Sequence, residues 1–484
     1  MNKKLKILYL AAEAEPFIKI GGLGDVAGSL PPALSALGDI DIRLVVPFHG
    51  AIQRQSYPLQ QVATYEVSHS AGPIVANVLR TDFDELPVYL ISGTPIPPDA
   101  PVYSPETGVD GFKFTFFSLA ALELIRHLQW TPDILHANDW HTAPAIYALH
   151  LRDDSHYKSI ATLLGIHNLP YLGVGAEDAL SSFGLPPATD SPLPRWAQGA
   201  PLPLGLLTAD HIVAVSPTYA DEILTPEFSS GLEDFLQLRA DDISGILNGI
   251  NTHHWDPAND QMIESCYSRD TLERRKANKT ALTGEFGLNP NPEIPLLAMI
   301  NRIDPQKGVD LVPEAMRSII DLPWQMIMLG TGMPDLEAEI RQLETDFPER
   351  IRAALRFDSV LSHRIYAGAD ALLIPSRYEP CGLTQMIAMR YGCVPIARAT
   401  GGLRDTVVDY RMGRWSTGFL FDQATPEDLC VAIHRATKTF SRRQSWGKLQ
   451  GRGMKGDFSW ERSALQYLKL YKSLVAKKKK EIKL

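Results

Sequence analysis

Short apolar runs alternate with amphipathic stretches along the chain, and their order is regular. The first run, residues 6–12, is apolar over five to seven residues, which is typical of a parallel strand buried on both faces. After a glycine-rich loop, residues 26–37 show the pattern of a helix, and we expect Pro31 and Pro32 to break its regularity. The pattern predicts further elements as follows: strands at 42–46, 88–91, 134–135, 159–164 and 211–215, and a helix at 113–128.

A second series of strands and helices begins after residue 290. Its apolar runs each end in a polar or glycine-containing loop, and they lie at 294–299, 325–329, 371–374 and 394–396. Such alternation predicts parallel sheets covered by helices on both faces. We therefore predict an α/β fold with two Rossmann-like, doubly wound domains, at residues 1–248 and 249–460, facing each other across a cleft. Ligands of such sheets bind beyond the carboxyl ends of the strands.

Length and composition agree with a soluble protein of two domains. A chain of 484 residues exceeds the roughly 250–300 residues that one core supports. The net charge of −9 argues against a nucleic-acid partner, and no run approaches the ~18–20 apolar residues of a membrane span. Four cysteines without a CxxC pair favour a reducing compartment, so we expect a cytoplasmic protein. The lysine run at 477–480 is interpreted as a solvated tail.

The first candidate site is the glycine-rich loop, in which Lys19 precedes Gly21, Gly22 and Gly24, and Asp25 follows. Glycines let backbone N–H groups approach a phosphate, and a helix N-terminus favours an anion. The spacing matches neither GxGxxG nor GxxxxGK[ST], which disfavours the dinucleotide and P-loop interpretations. A tight turn explains the local sequence at least as well, although the flanking charges favour a functional site.

The second candidate is a pair of cations, Arg302 and Lys307, on a loop that follows a buried strand. Arginine offers a planar fork and lysine a compact charge, and together they could neutralise a diphosphate. The alternative is two solvated surface cations. The position at a strand's carboxyl end, with Gly308 opening the next helix, favours the binding site.

The third candidate is the loop at 376–385, which joins an apolar strand to a helix beginning at about Thr384. The carboxylate of Glu379 could accept hydrogen bonds from sugar hydroxyls, while the N–H groups after it could bind phosphate. Alternatively, Glu379 is a helix-start residue favoured by the helix dipole. Cys381 is a poor candidate for a nucleophile because no histidine lies near it in the sequence.

Three histidines, His136, His141 and His167, lie near strand ends together with Asp139. Neither HExxH nor a Cys/His zinc pattern occurs, so sugar-binding and structural roles are the main alternatives. No Asp-x-Asp pair follows a strand where a cation-dependent transferase would hold its metal. We therefore predict neither a metal nor another cofactor.

In their order and spacing, these segments resemble the glycogen and starch synthases, glycosyltransferases with the two-domain GT-B architecture. The resemblance covers nearly the whole chain and includes the following motifs: Lys19-Ile-Gly-Gly-Leu-Gly-Asp25, His136-Ala-Asn-Asp139-Trp-His, Gly165-Ile-His167-Asn168-Leu, Gln306-Lys-Gly308, Tyr378-Glu-Pro-Cys-Gly-Leu-Thr-Gln385 and Asp457-Phe-Ser-Trp460. It implies a metal-independent, retaining transfer of glucose to the non-reducing end of an α-1,4-glucan or maltooligosaccharide. The implied donor is ADP-glucose, with UDP-glucose as the alternative, and the segment 461–484 is expected to pack back on the first domain.

The resemblance also implies roles for individual residues. The implied catalytic residues are His167, Arg302, Lys307, Glu379 and Asp139. The implied donor-binding residues are Lys19, Gly21, Gly22, Gly24, Asp25, Asn168, Phe357, Cys381, Gly382, Leu383 and Thr384, with Phe357 where the family stacks an aromatic ring on the base.

Several positions depart from the family pattern, namely Ile20 for Thr, Lys113 for Arg, Leu172 for Gln, and the stretch 200–208. Three other functions remain as alternatives. They are a GT-B transferase with a small-sugar acceptor, a non-catalytic glucan-binding homologue, and a nicotinamide oxidoreductase, which the missing GxGxxG disfavours.

Overall fold

The computed structural model describes residues 4–482, with the backbone alone at residues 155 and 156. Contacts divide the chain into two compact units. The N-terminal unit contains the residues up to Gly249 together with the segment from Trp460 onward, and the C-terminal unit is Ile250–Ser459. Each unit is built around its own sheet, so each has its own core.

The N-terminal unit has, within the described residues, a sheet of nine strands in the order β3-β4-β5-β2-β1-β6-β7-β8-β9. The strands are β1 (Leu5–Leu10), β2 (Ile40–Pro47), β3 (Gln60–Val67), β4 (Ile74–Phe83), β5 (Leu86–Ser92), β6 (Ile134–Asn138), β7 (Ala161–Ile166), β8 (His211–Ala214) and β9 (Ile243–Gly245).

One edge of this sheet is antiparallel, which the predicted parallel sheet did not include. Strand β4 pairs antiparallel with both β3 and β5. Strands β4 and β5 are joined by two residues, Asp84 and Glu85, with φ of 48° and 63°. Positive φ at both positions is the geometry of a tight hairpin turn whose twist matches that of the strands.

The helices of the N-terminal unit are α1 (Gly22–Ala36), α2 (Thr107–His127), α3 (Asp139–Leu151), α4 (Ser155–Lys158), α5 (Glu177–Ser182), α6 (Pro201–Thr208), α7 (Pro217–Glu222) and α8 (Glu233–Leu238), with α17 (Trp460–Glu481) from the end of the chain. Helix α1 continues through Pro31 and Pro32, so the expected break is absent there. The two prolines remove backbone hydrogen bonds, but the apolar face around Leu30, Pro31 and Leu34 is buried and holds the helix in place.

The C-terminal unit has, within the described residues, six parallel strands in the order β12-β11-β10-β13-β14-β15. They are β10 (Leu296–Ile300), β11 (Gln325–Leu329), β12 (Ile351–Ala354), β13 (Ala371–Ile374), β14 (Val394–Arg398) and β15 (Phe419–Phe421). The helices are α9 (Arg275–Glu285), α10 (Val312–Ser318), α11 (Pro334–Asp346), α12 (Ser359–Gly368), α13 (Thr384–Arg390), α14 (Gly401–Thr406), α15 (Pro426–Phe440) and α16 (Arg443–Met454).

Helix α17 belongs to the core of the N-terminal unit. Its buried face carries Trp460, Ala464, Tyr467, Tyr471 and Leu474, which join the apolar cluster around β1 and β2. The spacing is that of one helical face. None of the described helices is long and apolar enough to cross a membrane.

The interpretation of residues 477–480 as a solvated tail was wrong for Lys478, whose side chain is only 24% exposed. Lys477 pairs with Asp242 at 3.1 Å, and Lys478 pairs with Asp210 at 2.8 Å. Asp210 also accepts a hydrogen bond from the backbone N–H of Thr162 on β7. These ion pairs tie the end of α17 to the sheet side of the unit.

Strand order places a crevice at one point in each sheet. The chain leaves β1 towards β2 on one side and returns to β6 on the other. In the second sheet, β10 in the same way lies between β11 and β13. Loops at the carboxyl ends of such neighbouring strands separate and leave room for a ligand. We therefore expect ligand-binding residues in the loops after β1, β6, β10 and β13.

Candidate functional site

The loop after β10 holds Lys307 in a fixed position. Asp304 caps a short 3₁₀ turn by accepting the backbone N–H of Lys307 at 3.0 Å. Gly308 ends the turn with φ of 65°, and a Cβ there would lie 2.1 Å from the carbonyl oxygen of Pro375. Only glycine fits both the backbone conformation and this close approach to the end of β13. The two loops are therefore locked together at the strand ends.

Lys307 and Glu379 form an ion pair across these two loops. The Nζ of Lys307 donates to both carboxylate oxygens of Glu379 at 2.8 Å each, and the Ser376 hydroxyl donates to one of them at 2.8 Å. The two side chains are only 18% and 10% exposed. Glu379 is thus held by a cation and a hydroxyl, and it does not act as a helix cap. Hydrogen bonds between ionised groups are short and strong, so the pair is a rigid, charged element of the site.

The segment after Glu379 is shaped by close backbone contacts. Gly382 has φ of 68°, and the N–H of Gly402 donates to the carbonyl of Glu379 at 3.1 Å. A Cβ on Gly401 would lie 2.0 Å from that same carbonyl oxygen, and one on Gly402 would lie 2.0 Å from the carbonyl oxygen of Cys381. The loop after β14 therefore supports the predicted phosphate-binding loop, and Thr384 begins α13 as expected.

Arg302 and Phe357 are open to solvent. Arg302 is 62% exposed and pairs with Asp304 at 3.2 Å, beside Lys307 in the same loop. Phe357 is 87% exposed and lies between β12 and α12. The predicted solvated alternative thus describes Arg302, whereas Lys307 is largely buried.

In the N-terminal unit, Asp139 supports the predicted histidine site. Asp139 opens α3 with φ of 54°, a conformation unusual for a residue with a side chain. Its carboxylate accepts the backbone N–H of His167 at 2.8 Å and that of Asn168 at 3.4 Å. The structure therefore brings these three residues together at the ends of β6 and β7.

Burial determines the protonation states of Asp139 and His167. It raises the pKa of Asp139 to about 7, although the two backbone N–H groups act in the opposite direction. Burial also lowers the pKa of His167 to about 4, against the field of the nearby Glu13 carboxylate. At neutral pH the imidazole is therefore uncharged, and Asp139 titrates close to that pH.

The glycine-rich loop is wrapped around a carboxylate of the protein itself. Glu13, which is 2% exposed, accepts the backbone N–H groups of Ile20 and Gly21. Lys19 pairs with Asp25 and with Glu15. A Cβ on Gly24 would lie 3.1 Å from the Glu13 carboxylate. The N–H of Gly21, which was expected to be available for a phosphate, is therefore already bonded to Glu13, as is that of Ile20.

Sequence reasoning did not identify Glu13 as part of the site. The available signal was its position, because it is a charged residue directly after the first apolar run. Asp304 was also missed, although an Asp-Pro pair is a typical start of a helical turn.

Two of the predicted histidines and Lys113 are structural. His136 Nδ1 bonds the hydroxyl of Tyr471 on α17 at 2.8 Å, and His141 packs among Phe114 and Trp140. Burial lowers the pKa of both imidazoles to about 3. Lys113 is buried in an ion pair with Asp110 at 2.7 Å. Among residues 4–482, no cluster of three or more His, Cys, Asp or Glu side chains could hold a metal ion.

Comparison with known proteins identifies the family. The family described as "Starch synthase catalytic domain" matches residues 6–238, and "Glycosyl transferases group 1" matches residues 285–450. A glycogen synthase of Geotalea daltonii is 38% identical over 483 residues, covering 98% of this chain and 100% of its own. A glycogen synthase of Anaeromyxobacter sp. (strain Fw109-5) is 40% identical over 486 residues, with the same coverage of both chains.

Comparison with solved structures indicates the same family. The catalytic domain of starch synthase IV from Arabidopsis thaliana, bound to ADP and acarbose, matches with a TM-score of 0.88 and 33% identity. The match covers 98% of this chain and 100% of that one. Sucrose-phosphate synthase from Thermosynechococcus elongatus, with a TM-score of 0.60 and 19% identity, shares the fold. With its two α/β units and these relatives, the chain belongs to the glycogen and starch synthase family of GT-B glycosyltransferases.

Proposed function

We propose that this glycosyltransferase moves glucose from a nucleoside-diphosphate glucose to the non-reducing end of an α-1,4-glucan with retention of configuration. We further propose that ADP-glucose is the preferred donor over UDP-glucose. Relatives named glycogen synthase and a starch synthase structure that contains ADP and acarbose support both statements. The absence of a disulfide among the four cysteines, all within the described residues, suits the proposed cytoplasmic location.

The observation that carries the proposal is the buried ion pair of Lys307 and Glu379 where strands β10 and β13 end. In the proposed complex, Lys307 and Arg302 balance the charge of the donor's diphosphate. Glu379 accepts hydrogen bonds from hydroxyls of the transferred glucose. Backbone N–H groups of residues 381–383 and Thr384 add further donors, and the exposed ring of Phe357 is available to stack on the base.

We assign the glucose-facing groups of the N-terminal unit to His167, Asn168 and Asp139. From the glycine-rich loop, we assign Lys19 and Asp25 to binding of the nucleotide-sugar donor. Gly21, Gly22 and Gly24 let the backbone of this loop lie close to that donor. Because Ile20 and Gly21 donate to Glu13, this loop contributes the charge of Lys19 more than free N–H groups.

The proposed reaction is a front-face displacement through an oxocarbenium-like state. The bond from the anomeric carbon to the diphosphate breaks, and the acceptor hydroxyl oxygen forms the new glycosidic bond on the same face. The departing phosphate takes the acceptor's proton. The barrier then depends on how well fixed positive groups stabilise the charge that develops on the leaving diphosphate. We assign this role to the largely buried Lys307.

The direct test is glucose transfer to glycogen and to maltooligosaccharides, from ADP-glucose and UDP-glucose in parallel, with EDTA present. We expect transfer in EDTA and a higher kcat/KM with ADP-glucose. Absence of transfer to either glucan from both donors would reject the proposed function. Transfer only to a small phosphorylated or free sugar would instead indicate the small-sugar transferases.

The Lys307→Ala variant tests the assigned charge. Removing one such donor typically lowers kcat by roughly 10²–10³. Lys279→Ala is the matched control, because Lys279 forms a comparably buried ion pair with Asp370 at 2.7 Å. That pair lies at the amino ends of β10 and β13, where Asp370 accepts the N–H of Leu296. We expect the control to lose stability and keep kcat; a Lys307→Ala enzyme within threefold of wild type would contradict the role.

A further inference from the structure

The amide of Asn138 has one orientation in the fold. Asn138 ends β6 and is 1% exposed. Its Nδ2 donates to the carbonyl of Leu10 on β1 at 2.8 Å, which leaves Oδ1 facing the Nε2 of His167 at 2.9 Å. An amide oxygen can only accept a hydrogen bond, so the Nε2 of His167 must carry the proton.

From this geometry we propose that Asn138 is a positioning residue that holds His167 in the Nε2–H tautomer. The Nδ1 of His167 then presents its lone pair and can accept a hydrogen bond from a hydroxyl. The identification of that hydroxyl with the transferred sugar rests on the proposed function, whereas the tautomer follows from the contacts of Asn138 alone.

The imidazole is held through the backbone of His167 and through the amide of Asn138. Asp139 holds the backbone of His167 through its N–H, and the hydroxyl of Tyr9 donates to the same Oδ1 of Asn138 at 3.3 Å. The titratable groups near His167 include Glu13 and His136, with Asp139 bonded to its backbone N–H. Burial lowers the pKa of His167 to about 4, so the ring is neutral at neutral pH. It then carries one proton, on either Nδ1 or Nε2.

Gly165 on β7 makes the contact possible. A Cβ at this position would lie 2.8 Å from the Oδ1 of Asn138 and 3.5 Å from the Nε2 of His167. The Nε2 of His136 would lie 3.3 Å away. Any side chain would push the amide and the imidazole apart, so the glycine of the Gly-Ile-His motif keeps space for this hydrogen bond.

The ring nitrogens of the full-length wild-type protein give the first test. ¹⁵N chemical shifts of histidine distinguish the Nε2–H from the Nδ1–H tautomer, and a His167→Gln variant assigns the signals. We expect the Nε2–H pattern at pH 7. An Nδ1–H pattern would overturn the proposal. This readout needs no glucose transfer, so its result is independent of whether the proposed function holds.

Substitution of Asn138 gives the second test. In Asn138→Asp, a carboxylate beside Nε2 favours the imidazolium, so the acid limb of the kcat/KM profile should move up by about 1–3 pH units. Asn138→Leu should lose the tautomer preference. Tyr9→Phe, which removes the other donor to Oδ1, should keep the wild-type pattern. Wild-type shifts and an unmoved acid limb in Asn138→Asp would overturn the proposal even if Asn138→Leu does not fold.

Discussion

Asp139 makes the stability of the N-terminal unit depend on pH in an unusual direction. Burial raises its pKa from the ordinary 3.8 to about 7. Between these values the folded state binds the proton that the unfolded state has released. Stability from this group is therefore fully present below pH 3.8 and declines as the pH rises through 7.

We predict that Asp139→Asn removes this decline and keeps an acceptor for the N–H of His167. From about pH 5.5 to 7, the unfolding free energy of wild type relative to the variant should fall by up to about 1.4 kcal/mol per pH unit. Urea unfolding of both proteins at several pH values measures the difference. A difference that stays constant with pH would show that the pKa of Asp139 is not raised.

For individual residues, the sequence predicted the position along a strand or loop better than it predicted the side-chain contacts. His167 directly follows an apolar run, and Lys307 and Glu379 lie on the loops after two others, so their place near strand ends was predictable. The roles of Glu13 and Asn138 depend on where a carboxylate or an amide points in the folded chain. Asn138 contacts Leu10 and His167, which are far from it in sequence, and no local pattern indicates those partners.

Among the elements, α17 provides a clean comparison between two lysines on one helix. Lys478 is largely covered and pairs with Asp210, whose carboxylate also bonds the N–H of Thr162. Lys480 is exposed. We predict that Lys478→Ala lowers the unfolding free energy by about 1 kcal/mol, because Asp210 loses its cation, and that Lys480→Ala has no effect. Thermal unfolding of the two variants decides this, and equal melting temperatures would contradict it.

The strands that sequence reasoning recovered are those buried on both faces. Central strands such as β1 and β10 are largely or wholly apolar runs, and that pattern is distinctive. Edge strands are different: β3 is largely exposed and polar, and β12 contains the sequence Ile-Arg-Ala-Ala. Their pairing comes from tertiary context and hairpin geometry, which local patterns do not show.

For the whole molecule, the buried histidines predict which unit is sensitive to acid. His49, His136, His141 and His167 all lie in the N-terminal unit, and burial lowers each pKa to about 3 or 4. Below pH 6.5 the unfolded unit takes up protons that the folded unit does not. Stability is therefore lost as the pH falls from about 6.5 towards 4, by at most about 1.4 kcal/mol per pH unit for each histidine.

We predict that the N-terminal unit opens before the C-terminal unit when the pH is lowered from about 7 to 5. Three carboxylates oppose this loss, because burial raises the pKa of Asp139 to about 7 and also raises the pKa of Asp25 and of Asp110. His211, whose pKa is lowered by burial, adds to the four histidines. In the C-terminal unit, Asp260 and Asp409 have lowered pKa values, so their contributions are lost only below about pH 4. Incubation in urea at both pH values, followed by hydrogen-exchange labelling at a common pH, assigns the opening to peptides. Earlier exposure of residues 250–459 would contradict the prediction.

The position of α17 in the sequence has a consequence for biosynthesis. The C-terminal unit is one continuous stretch of chain, so it can fold as soon as it has left the ribosome. The N-terminal unit lacks Tyr467, Tyr471 and Leu474 of its apolar cluster until every residue of the other unit has been translated. The first half of the protein therefore completes its core after the second, and chaperones would meet an N-terminal unit whose apolar core is incompletely covered during that interval.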